Sequence, residues 1–222
     1  MNIYHQYEEE KLSLEAFENI LCYLESYFIR RWFADVPTRA LGIVFNNLYN
    51  QVLLKDPQNL VDSLYTVLVN FDKNNRYPND NEFRQAVIDK SLYKNTGSND
   101  RVKLILESIE ASLSKERVDT KTLNIEHIMP QSLNKEWKVM LGGNYSSIHK
   151  KWLHTLGNLT LTGYNTELSN KPFEEKLVHL QNYSNLALNK YYQQQKVDNW
   201  NEEAIKNRAE YLADIAIKIW LR

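Results

Sequence analysis

Thr122-Leu123-Asn124-Ile125-Glu126-His127-Ile128-Met129-Pro130-Gln131 interrupts a chain that otherwise reads as helix. Its first four residues are β-prone, and a carboxylate directly precedes a histidine at the exit of that run. Consecutive strand residues point to opposite faces, so Glu126 and His127 serve one ion only where the strand ends or bulges. Pro130 supplies such an ending. The plainer alternative is a half-buried histidine bonded to backbone, with Glu126 on the surface. A second β-prone run, Leu159–Thr162, lies within Leu156-Gly157-Asn158-Leu159-Thr160-Leu161-Thr162-Gly163-Tyr164-Asn165. Gly157 and Gly163 bracket it, and an asparagine follows each closely. An asparagine carbonyl is a hard ligand of the kind Mg²⁺ or Ca²⁺ takes; Gly-Asn and Tyr-Asn are also ordinary turn pairs.

Outward from these runs the pattern is helical. From Leu12 to Phe33, Leu14, Phe17, Ile20, Leu21, Leu24, Phe28 and Trp32 recur at spacings of three, four and seven. Asp35-Val36-Pro37 breaks this stripe, and Thr38 is the expected N-cap of a helix carrying Leu41, Val44, Phe45, Leu48 and Val52. Asp56-Pro57 reads as cap and first turn of the next, with Leu60, Leu64, Val67, Leu68 and Phe71. Tyr77-Pro78-Asn79-Asp80 opens a further helix, and Val102, Ile105, Leu106, Ile109 and Leu113 form another stripe. After the β-prone runs, helices are expected over 148–156, from Pro172 with Phe173, Leu177 and Leu180 inward, and over about 202–220. The fold class is therefore mainly α (α+β): a helical bundle over 1–118, then 119–222 as a small ββα element with C-terminal helices. Arg30-Arg31 could touch phosphate, or form a solvated face or salt bridge.

Composition excludes several classes. The 222 residues are 43% hydrophobic, 25% charged and 12% aromatic, which is a globular balance. No apolar run approaches the ~20 residues that span a bilayer, so no membrane role is expected. Met1–Glu8 is polar and acidic, unlike a signal or transit peptide, and the expected compartment is cytoplasmic. Cys22 is the sole cysteine, which removes internal disulfides and cysteine-built metal sites. The 27 Lys+Arg against 28 Asp+Glu give a net charge of −1, so a nucleic-acid role must rest on a local site or on another domain. Between Asp119 and Leu180 there are seven lysines and six acidic residues, which is barely basic.

Glu126-His127-Ile128-Met129-Pro130-Gln131-Ser132, followed by Gly157-Asn158-Leu159-Thr160-Leu161 and Asn165, resembles the HNH (His-Me finger, ββα-metal) nucleases. More closely, the chain resembles the C-terminal HNH domain of GmrSD-type restriction endonucleases. That likeness continues through Ser169-Asn170-Lys171-Pro172-Phe173-Glu174-Glu175-Lys176, Trp200, Arg208 and Trp220, and upstream through Phe28-Ile29-Arg30-Arg31 and 77–83.

The resemblance implies a divalent-metal-dependent endonuclease that hydrolyses DNA phosphodiester bonds within a bacterial restriction (anti-phage) system aimed at modified DNA. By the same resemblance His127 is the general base, and Asn158 holds the loop and orients it. Glu126 and Asn165 are the metal ligands for Mg²⁺ or Mn²⁺. Glu126 stands where Asp is commoner. Lys171 and Lys176 are the candidate phosphate contacts, each with a solvated surface lysine as its alternative. His149 and His154 lie nearby in sequence, with loop packing the expected role of His154. An N-terminal ParB-like nucleotidase domain or subunit, which nothing in this chain resembles, is the expected partner. The competing readings are a non-catalytic partner-docking module with a vestigial HNH element, and an RNA-directed nuclease.

Overall fold

The apolar stripes do form helices. The computed structural model describes residues 2–116 and 118–222; it is 62% helical and, among the described residues, holds one two-stranded antiparallel sheet. The chain divides into two compact units, Met1–Ala86 with Trp220–Arg222, and Val87–Ile219.

In the first unit lie α1 (Asn2–Glu8), α2 (Leu14–Phe33), α3 (Leu41–Lys55) and α4 (Leu60–Val69); α5 (Asp80–Asp89) begins in it. The stripes of α2, α3 and α4 meet in a core of Ile20, Tyr27, Leu48, Val52, Leu60, Leu64, Leu68 and Tyr77. Two expected caps move. Thr38 yields the N-cap of α3 to Ala40, and its carbonyl accepts the Leu41 amide instead. Asp56 ends α3 rather than starting α4; its carboxylate accepts the Gln58 amide in a tight turn. Asn59 caps α4 by accepting from Asp62 N.

Arg30 and Arg31 are buried and serve the backbone. Arg30 donates to the carbonyls of Trp220 and Pro78 and pairs with Asp80. Arg31 donates to those of Arg76, Pro37 and Asn74. Their guanidinium groups hold chain turns, which leaves no phosphate role for the pair.

The second unit contains α6 (Asp100–Leu113), β1 (Asn124–His127), α7 (Lys135–Leu141), α8 (Tyr145–Trp152), a 3-10 turn (Leu156–Asn158), β2 (Leu159–Thr162), α9 (Asn165–Leu168), α10 (Phe173–Asn182), α11 (Ala187–Gln194) and α12 (Glu202–Ile219). The division expected after residue 118 falls inside this unit. The reason is packing: α6 buries Val102, Ile105, Leu106 and Ile109 and lies against α11, α12 and both strands. The strands pair as Asn124↔Thr162, Ile125↔Leu161, Glu126↔Thr160 and His127↔Leu159. All four residues of β2 are buried.

Two devices fix the hairpin. Gly157 lets the 3-10 turn sit directly on α12, because an added Cβ would lie 2.5 Å from the Ile205 carbonyl oxygen and 2.9 Å from Ala209 Cβ. Arg208, wholly buried on α12, donates from Nη1 to the carbonyls of Gly157 (2.8 Å) and Leu159 (2.7 Å). The inward face of α10 is Phe173, Lys176 and Leu180; Leu177, expected inward, is only half-buried. A lysine thus occupies a core position.

Candidate functional site

The second unit brings four of the six expected site residues together around the exit of β1. The hydrogen-bonded ladder ends at His127, and the chain then turns through Ile128-Met129-Pro130. Asn158 holds that turn. Its backbone carbonyl accepts from Ile128 N. Its Oδ1 accepts from Met129 N (2.7 Å) and Trp200 Nε1 (3.0 Å), and its Nδ2 donates to Met129 O and Leu153 O, both at 2.9 Å. Every valence of this amide is used and the residue is fully buried. Asn158 therefore shapes the loop that presents His127 and has no free atom for a substrate.

Glu126 and His127 point away from one another across the strand, yet one ammonium serves both. Lys176 Nζ donates to Glu126 Oε1 at 2.6 Å and to the His127 carbonyl at 2.8 Å. The Lys176 side chain is completely buried. Burial pushes the Glu126 carboxyl above its usual range and the Lys176 ammonium below its own, while each partner's charge pulls the other back. With donors to two oxygens at short range, the pair is held as an ion pair. Glu126 is thus buried, against the plainer alternative that put it on the surface, and Lys176, expected as a phosphate contact, is buried with its ammonium already bonded. It ties α10 to the strand carrying the histidine.

His127 itself is 5% exposed. Its Nε2 lies 3.1 Å from His154 Nδ1, in the hydrogen-bonding line. The Tyr93 ring stands edge-on to His127 (4.6 Å between centroids) and stacks on His154 (5.6 Å). Burial, then the neighbouring charges of His154, Lys176 and His149, lower the His127 pKa to about 3. The imidazole is neutral at pH 7 with a lone pair to offer. His149 Nε2 donates to the Pro130 carbonyl at 2.9 Å, a third clasp on the same turn. His154 thus contacts the histidine itself. Sequence reasoning gave it loop packing, and the only local hint of more was its place three residues before Gly157.

The other two residues make none of the contacts described so far. Asn165 opens α9, beyond the end of β2 whose last residue pairs with Asn124, not with His127. Its Oδ1 is buried and takes no hydrogen bond. Lys171 is on the surface and pairs with Glu175 at 3.3 Å.

For a metal, there is among the described residues no group of three or more His, Cys, Asp or Glu that could hold an ion. The available donors are oxygens: the Glu126 carboxylate and the orphaned Asn165 Oδ1. An amide oxygen buried without a donor is a costly arrangement that a hard cation would relieve. The donor chemistry fits Mg²⁺ or Mn²⁺ held by few protein ligands, with Lys176 already neutralising one carboxylate oxygen.

No helix among the described residues is long and apolar enough to cross a membrane. No curated protein matches the chain. The family model for GmrSD restriction endonucleases, C-terminal domain, matches residues 77–215, more than half of the sequence and the whole of the site above.

Proposed function

The chain belongs to the GmrSD restriction endonuclease family, as its C-terminal domain, and on that premise we propose that the Val87–Ile219 unit is an HNH-type endonuclease hydrolysing DNA phosphodiester bonds. The observation that carries this reading is His127: a neutral, buried imidazole at a strand exit, with His154 and Tyr93 against its ring, Lys176 on its carbonyl and Asn158 holding the turn that follows it. Such fixation is what a general base requires, since it must meet a water in one orientation.

In this mechanism His127 takes a proton from the attacking water. The new bond forms from that water oxygen to phosphorus, and the bond to the leaving sugar oxygen breaks. Glu126 and Asn165 would hold Mg²⁺ or Mn²⁺, which when bound neutralises phosphate charge and stabilises the leaving oxygen. Lys176 keeps the Glu126 carboxylate and the His127 carbonyl in one frame. Lys171, exposed beside α10, is the proposed phosphate contact. With a net charge of −1, the chain has no bulk positive charge with which to bind DNA strongly. Targeting to modified phage DNA is therefore assigned to a separate N-terminal nucleotidase domain or subunit.

Nicking of supercoiled plasmid with Mg²⁺, Mn²⁺ or EDTA tests the reading. The expected outcome is weak, ion-dependent cleavage that falls by about 10² or more in His127→Ala. Equal cleavage by that variant would overturn the assignment, and cleavage confined to an RNA substrate would redirect it.

A further inference from the structure

The proposed reaction leaves one contact unused, the one between the two imidazoles. His127 Nε2 and His154 Nδ1 are 3.1 Å apart, with the rings crossed at 76°. Between two neutral imidazoles that contact holds a single proton, so one nitrogen donates and the other accepts. The position of His154 is fixed independently of His127. Its carbonyl accepts the Leu92 amide at 2.7 Å, and Ser91 and Thr155 form an antiparallel bridge beside it. The preceding Leu153 carbonyl is bonded by Asn158 Nδ2. Tyr93, carried by the same 91–93 segment, stacks on the His154 ring and abuts that of His127.

We propose that His154 is a positioning residue that sets the tautomer of His127. His154 Nδ1 accepts the hydrogen of His127 Nε2, which leaves the lone pair of His127 on Nδ1. This rests on the assignment of His127 as the base and adds which ring atom does the work. The reaction gives the arrangement its purpose. As the water proton arrives at His127 Nδ1, positive charge develops on that ring, and its Nε2–H donates more strongly to a neutral acceptor already in place. A hydrogen bond that strengthens as the reaction advances lowers the barrier instead of merely binding the substrate. Were the proton on His154 instead, His127 would carry its hydrogen on Nδ1 and could not serve as a base through that atom.

Nitrogen-15 spectra of histidine-labelled protein read the tautomer directly, without substrate or metal. The expected result for the wild type is the Nε2–H form of His127 at pH 7.5. An Nδ1–H form there would overturn the proposal with no variant made. His154→Leu keeps bulk and removes the acceptor, and His154→Asn returns an acceptor near the Nδ1 position. The Nε2–H form should give way to a mixture in His154→Leu and return in His154→Asn. In plasmid nicking, kcat should fall about 10- to 100-fold in the leucine variant with KM little changed, and recover largely in the asparagine variant. Unchanged tautomer and kcat in His154→Leu would sink the role of His154 while leaving His127 as the base. If no preparation cleaves DNA but the tautomer follows residue 154, the hydrolytic reading fails and the positioning contact stands.

Discussion

Each unit of this chain buries arginines that serve backbone carbonyls, as Arg208 does in the second, but among the described residues only the second buries a lysine, and that cation is spent differently. In the first, Arg30 and Arg31 give their hydrogens to five carbonyls and to a largely exposed Asp80. In the second, Lys176 gives its hydrogens to Glu126 and to the carbonyl of His127, residues with chemical capacity of their own. The arginines tie loops to a helix. The lysine ties a helix to a candidate active site. Burial and charge are alike in the two places; the partner decides whether such a cation is scaffolding or part of a reacting assembly.

Removing each cation in turn sharpens that contrast. Lys176→Met should show the larger effect. It leaves the Glu126 carboxylate buried and unpaired, at a cost of about 3–5 kcal/mol, and should lower cleavage per folded molecule as well. Adding Glu126→Gln should recover much of the stability without the activity, as read by urea melts beside plasmid nicking. Arg30→Met should cost about 2 kcal/mol, as hydrogen bonds to a charged donor are lost from buried carbonyls. Its cleavage per folded molecule should match the wild type, and a specific kinetic defect would break the distinction drawn here.

Comparing acid melts of the wild type and a His127 variant probes the second region more gently. The unfolded chain protonates His127 near its ordinary value of 6.5, whereas the folded protein does so only at about 3. Between those values the unfolded state binds the extra proton, so this contribution to stability is complete above pH 6.5 and declines as pH falls toward 3. The melting temperature of the wild type should therefore drop more steeply with acid than that of His127→Gln. Parallel curves would mean that the burial of the ring is not sustained in solution.

What the sequence made legible follows from the range of the interactions. The stripes of α2, α3, α4, α6 and α12 signal their helices because spacing is a local property. The β-prone run at Thr122–Ile125 marks β1, but the strand lies at Asn124–His127, since its length is set by pairing with β2. Four helices, α1, α7, α9 and α11, escaped notice. The first two amides of α11, at Ala187 and Leu188, are received by the carboxylate of Glu110, 77 and 78 residues earlier. No cap is written next to them. The site divides in the same way. The Glu126-His127 pair and Asn158 stand out as motif residues, whereas the burial of Lys176 and the contact of His154 depend on partners 50 and 27 residues away.

The reach of Glu110 bears on how the second unit could be isolated. A truncation starting at residue 119 would strip α6 from the sheet and leave two amides at the head of α11 with nothing to receive them. The smallest piece able to stand alone must begin before Asp100, and before Ser91 if the strap bearing Tyr93 is to stay against the histidines.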